Sequence, residues 1–111
     1  MAYNVVLKTT EMGAGEKALT QNLMNAFIHQ LTEQKEKPKN IIMYAEGVNL
    51  AKKGSDALND LIELEKDGVN VLSCGICVDY YELNKKLGVG GITTMPEVVD
   101  LMSGEDNVVY P

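Results

Sequence analysis

The chain is predicted to be an α/β protein: a three-layer α/β/α domain around a small, mostly parallel sheet of four to five strands. Two observations carry that prediction. Short apolar runs alternate three or four times with amphipathic stretches of helical period, and the connections between them are short. The apolar runs also lack the polar alternation of a half-exposed strand, as expected where helices cover both faces of a sheet.

Taken in order, Val5, Val6 and Leu7 mark a first strand within residues 3–8, and TTEMGAGE makes the turn after it. From Lys17 to Glu33, Leu19, Leu23, Phe27 and Leu31 recur every four positions, widened by Met24 and Ala26, which predicts a helix with that stripe facing the core. Pro38 ends it by disfavouring helix at Lys37. IIMYA, residues 41–45, is the second strand. Ser55 is placed as an N-cap, with Asp56 in the first turn and Leu58, Leu61 and Ile62 on the buried face of a helix that stops at Gly68. Val69, Val71 and Leu72 then run as a third strand straight into Cys74.

Beyond Cys74, the spacing of Ile76, Tyr80, Leu83 and Leu87 predicts a helical stripe closed by Gly88, with Tyr80 in the core. GVGGI is a glycine-rich connection with a short strand at Ile92. Thr94 and Glu97 have the spacing of a capping box, opening a helix through Val98, Val99 and Met102. Gly104 stops it, and NVVYP is a last strand.

Composition bounds the function. The 111 residues suit one domain spanning the whole chain, with hydrophobic residues at 45% and a net charge of −6. That charge repels phosphate backbones, so nucleic acid is not an expected partner. No apolar run approaches the roughly 18 residues of a membrane span, and MAYNVVLKTT has no signal-peptide pattern, so a cytoplasmic protein with no membrane partner is expected.

The chemistry concentrates in VLSCGICVDYY, which holds both cysteines, Cys74 and Cys77. A reducing compartment argues against a structural disulfide. Zinc wants four ligands, and one C-x-x-C with a single histidine, His29, on the solvent side of its helix does not supply them; neither metal nor cofactor is expected. Cys74 leaves a strand at the sheet edge where α/β ligand crevices lie, Gly75 permits a sharp turn and close approach, and Cys77 falls where a helix begins. A helix start favours a thiolate, so one or both sulfurs are expected to have a depressed pKa. The competing reading is that both are small buried hydrophobes.

Three further positions are candidates for binding. Gly13 and Gly15 stand in GAGEKA, which matches the relaxed dinucleotide pattern G-x-G-x-x-A after a strand and before a helix. Glu16 would put a negative charge against a pyrophosphate, so a turn packed beside the active edge is preferred, or a loop whose N–H groups bind a small anion. Glu46, read as ending the second strand, is placed to face the crevice near Cys74.

The combination of MGAGEKAL, the run from IIMYAEGVNL to VLSCGICVDYY and the tail VGGITTMPEVVDLM resembles the DsrE/DsrF/TusD-like sulfur-relay family, and within it the C-terminal domain of YedF-type sulfurtransferase-like selenium-metabolism proteins. The resemblance implies a compact α/β/α domain that forms homo-oligomers and works with sulfur-donor and sulfur-acceptor proteins. It implies that Cys74, matching the cysteine at the end of the third strand, accepts sulfur as a persulfide and passes it on. Cys77 belongs to the narrower C-G-x-C-x-D-Y-Y pattern and is implied to resolve the persulfide or tune its neighbour. A dithiol–disulfide redox protein and a non-catalytic assembly or small-ligand-binding subunit remain the alternatives.

Overall fold

The computed structural model describes residues 2–111. Its centre is a five-stranded sheet in which every pairing is parallel, in the order β4-β3-β2-β1-β5. The strands are β1 (Tyr3–Leu7), β2 (Asn40–Met43), β3 (Asn70–Cys74), β4 (Gly91–Thr93) and β5 (Asn107–Val109). Helices α1 (Lys17–Glu33), α2 (Leu58–Lys66), α3 (Gly75–Tyr80) and α4 (Met95–Met102) connect them, with a 3-10 segment at Ala45–Ala51 after β2.

The layers follow from the pleat. Successive side chains of a strand point to opposite faces. Val5, Leu7, Ile41, Met43 and Val71 therefore join Met24 and Ile28 of α1 and Leu61 and Leu64 of α2 in the larger core. The intervening Val6 and Ile42 meet Val98, Leu101 and Met102 of α4 on the other face. Each central strand is thus buried on both sides, which is why the sequence shows unbroken apolar runs there. At the amino end of the sheet the in-register Asn4, Asn40 and Asn70 form an amide ladder, with Nδ2 of Asn40 donating to Asn4 at 2.9 Å and Nδ2 of Asn70 to Asn40 at 3.1 Å. The ladder lets Asn4 and Asn40 be buried at the end of the core, while Asn70 closes it at the exposed start of β3.

Several local expectations are corrected. In α1 the buried residues are Thr20, Met24, Ile28 and Leu31, while Leu19 and Leu23 are exposed. Met24 and Leu31 hold their predicted core places and Phe27 packs against the core, but at the first two turns the stripe is displaced by one residue, from Leu19 and Leu23 toward Thr20 and Met24. The reason is that Thr20 can be buried, because its hydroxyl donates to the Glu11 carboxylate at 2.6 Å. The helix after Cys74 ends at Tyr80, since Glu82 takes a left-handed φ of 55° and turns the chain, and Leu83 enters the core from that turn. Tyr80 is exposed, not core. Ser55 caps a turn ahead of α2, its Oγ accepting from the Ala57 N–H at 3.2 Å, and the helix proper starts three residues later. In place of a Thr94–Glu97 box, the Thr93 hydroxyl donates to the Glu97 carboxylate at 2.5 Å, while Thr94 takes the N-cap position without a side-chain cap.

Candidate functional site

The site is built where β2 and β3 end. β3 delivers Cys74 as the N-cap residue of α3, with φ −63° and ψ 124°, so that the chain turns from strand to helix at the sulfur-bearing residue itself. Gly75 makes the turn fit: a Cβ there would come within 3.1 Å of Ile92 Cγ2 on β4. One helical turn on, Cys77 returns to the same side as Cys74. Both thiols are free, and both line the same cavity. Cys74 is 1% exposed, whereas Cys77 is only partly covered.

The neighbouring strand end supplies a donor. Expected to continue as strand to residue 45, the chain instead leaves β2 at Met43, and Ala45 adopts a left-handed φ of 51°. That conformation is uncommon without glycine and costs on the order of 1–2 kcal/mol. It aims the Ala45 N–H at Cys77 Sγ, 3.0 Å away. Two residues later Gly47 lies so close to β1 that a Cβ would fall 2.0 Å from the Leu7 carbonyl oxygen. The 3-10 segment is therefore held hard against the sheet.

The electrostatics differ from the expected activation. Burial pushes the Cys77 thiol above its ordinary value, and the neighbouring Cys74 thiol adds to the rise; the Ala45 N–H, which favours the thiolate, works against both. At Cys77 the expected depression is thus reversed. A six-residue helix has little dipole to offer, and no cationic side chain lines the site.

Both cysteines open onto a cavity of about 350 Å³. Tyr44 and Ala45 form one wall and Ile76 another; α4 closes the third with Met95, Val98, Val99 and Met102. Every lining side chain is uncharged. Ile76 (68% exposed), Val99 (54%) and Met95 (47%) form an open apolar rim, extended by the exposed Ile92.

The other predicted positions lie elsewhere. Glu46 is not at the end of β2 but inside the 3-10 segment; its carboxylate accepts from the Thr10 hydroxyl at 3.3 Å, and it does not line the cysteine cavity. Gly13 and Gly15 hold left-handed or extended positive φ values of 79° and 140° in the loop after β1, and Gly13 lines a separate cleft with Lys8, Glu11 and Pro111. The structure brings together Cys74, Gly75 and Cys77, and leaves Glu46 and the two loop glycines apart. His29 is on the surface, its ring 3.1 Å from Asp60 of α2. Among the described residues no group of three or more His, Cys, Asp or Glu side chains is arranged to hold a metal. Among them, too, no helix is long and apolar enough to cross a membrane.

Sequence reasoning missed Ala45 and the α4 wall. The first carries no signal, because a backbone N–H belongs to every residue but proline. The second was visible as Val98, Val99 and Met102, though nothing in the spacing said that one edge of this stripe would face a thiol.

With this geometry in place, solved structures give a consistent comparison. The chain resembles the ychN protein from E. coli over 100% of both chains, with a TM-score of 0.74 and 18% identity. The fold is shared. It is shared as well with MTH1491 from Methanobacterium thermoautotrophicum (TM-score 0.68, 14% identity, 99% of this chain and 96% of that one). BT1422 from Bacteroides thetaiotaomicron is similar over 98% of this chain and 94% of its own, with a TM-score of 0.62 and 17% identity. MTH1491 and BT1422 are described as proteins of unknown function. No family profile matches the chain. No curated protein matches its sequence. The five-stranded parallel α/β architecture is therefore the property these proteins hold in common.

Proposed function

We propose that the protein carries sulfane sulfur on the Cys74–Cys77 pair. The observation that supports this reading is the placement of two free thiols, three residues apart, on the wall of one uncharged cavity at the carboxyl end of β3. Exposure orders their roles. Cys77, the more open thiol and the one that receives the Ala45 N–H, takes up the incoming sulfur, and Cys74 beneath it is the second thiol. This inverts the order implied by the sequence resemblance, in which Cys74 accepts.

In uptake, the Cys77 thiolate attacks the outer sulfur of a donor R–S–SH. The Cys77–S bond forms as the donor S–S bond breaks, and the leaving RS⁻ takes the persulfide proton, giving RSH and Cys77–S–S⁻. The Ala45 N–H lies on the sulfur that bears the thiolate charge before attack. Delivery is the same exchange with an acceptor thiol. The competing branch is attack by Cys74 on the Cys77 sulfur, which yields a Cys74–Cys77 disulfide and HS⁻. Carrier and redox protein differ in whether that branch is slow or fast.

Donor and acceptor proteins, a homo-oligomeric assembly and a cytoplasmic setting belong to the same proposal, with the rim of Ile76, Ile92, Met95 and Val99 as the surface available for contact. Incubation with benzyl persulfide followed by intact mass measurement tests the reading: a carrier gains one sulfur atom. Conversion only to the internal disulfide selects the redox alternative, and no mass change removes both.

A further inference from the structure

The cavity that holds the thiols also has a chemical preference of its own. It is about 350 Å³, within the lower range of small-molecule sites. Around it stand methionine, valine, isoleucine and tyrosine side chains, and no Lys, Arg or His. An anionic sulfur compound such as thiosulfate or a glutathione derivative would leave its carboxylate or sulfonate-like group desolvated and unpaired there, which is costly. An uncharged alkyl or aryl group would cover Met95, Val99 and Met102 and remove apolar surface from water.

We infer that the cavity admits small, uncharged sulfur compounds with an apolar tail, organic disulfides above all, and selects them over anionic ones. This rests on the carrier reading only in needing a thiol of the pair to be reactive. The tail lies along α4 between Met95 and Met102, with its sulfur toward Cys77. With a disulfide R–S–S–R, the Cys77 thiolate attacks one sulfur, Cys77–S–S–R forms, and RS⁻ departs with the bonding pair and is protonated by water. The wall supplies affinity for R and no charge for the leaving group. Val99 and Met95, exposed at the mouth, set how long an R can be accommodated.

Alkyl methanethiosulfonates test this directly, since each places its group on the thiol and releases methanesulfinate. The methyl, propyl and hexyl reagents are compared with the anionic sulfonatoethyl reagent on the full chain, each rate divided by that for a free cysteine peptide. The normalised rate at Cys77 should rise along the neutral series, by at most about fourfold per added methylene. It should be at least roughly tenfold higher for hexyl than for sulfonatoethyl, given the penalty for an unpaired charge. Val99→Glu, at an exposed position, should flatten the chain-length series without loss of the folded circular dichroism spectrum. Equal normalised rates across the reagents, an unaltered series in Val99→Glu, or rates that rise on dilution because a second copy sits on the cavity would each overturn the inference and leave the carrier reading standing. Failure of every reagent to modify Cys77 in the folded protein would remove both.

Discussion

The backbone N–H of Ala45 meets Cys77 Sγ at 3.0 Å, joining the strand end of β2 to the first turn after β3. This contact favours the Cys77 thiolate, and burial outweighs it: the Cys77 pKa stays above its ordinary value. The rate of Cys77 carboxamidomethylation by iodoacetamide should therefore climb with a midpoint on the alkaline side of a reference peptide thiol. A midpoint below that of the peptide would mean that another group activates the sulfur.

Gly47 makes the Ala45 geometry possible. A methyl group at this position would stand 2.0 Å from the Leu7 carbonyl oxygen, a backbone atom that cannot move aside without shifting β1. Gly47→Ala should lower stability by about 1–3 kcal/mol in urea unfolding. It should also change Cys77 alkylation, because the displaced 3-10 segment carries the N–H. Unchanged stability would show that the segment is not pinned.

Ser73 precedes Cys74 and turns to the opposite face of the sheet, where its Oγ is buried without a hydrogen-bond partner among the described residues. An unpaired buried hydroxyl costs roughly 1–3 kcal/mol. Ser73→Ala removes the cost and leaves a cavity smaller than a water, so it should raise stability by about 1 kcal/mol in chemical denaturation. A loss of stability would reveal that the hydroxyl is engaged by a partner the single chain does not supply.

Stability should fall in alkali. Cys77, Tyr3 and Tyr44 all have raised pKa values, chiefly through burial, so each keeps its proton longer folded than unfolded. The unfolded chain then sheds protons first as pH rises, and stability, full below about pH 8.5, is lost progressively through the cysteine and tyrosine ranges. His29 acts in a lower window: its hydrogen bond to Asp60 raises its pKa, so that contribution is present below about pH 6.5 and fades as pH passes the raised value. Thermal melts of wild type, Cys77→Ser and His29→Gln from pH 5 to 10 separate the two windows. Melting temperatures for Cys77→Ser that drop with pH as steeply as those of wild type would assign the alkaline loss to the tyrosines alone.

The sheet could be read from the chain because a parallel strand buried on both faces writes itself as an apolar run, as at Val5–Leu7 and Ile41–Met43. Cys74 could be placed at a strand end for the same reason. Periods were less faithful. The four-residue repeat of Leu19 and Leu23 competes with Thr20 and Met24 one residue on, and only the Glu11 contact, made across a loop, decides between them. The repeat from Ile76 to Leu87 ran through Glu82, whose left-handed turn no hydrophobic pattern encodes. At the site, the thiols were legible as residue types. Their environment was not, because it is made by Ala45 and α4, which the fold brings to Cys77 from 32 residues earlier in the chain and from beyond β4.

Which cysteine holds the sulfur is the central question, and peptide mapping after benzyl persulfide treatment of wild type, Cys74→Ser and Cys77→Ser answers it. One extra sulfur should appear on Cys77, be retained longer in Cys74→Ser because the disulfide-forming branch is gone, and be absent in Cys77→Ser. Sulfur found on Cys74 in wild type and still acquired by Cys77→Ser would contradict this assignment.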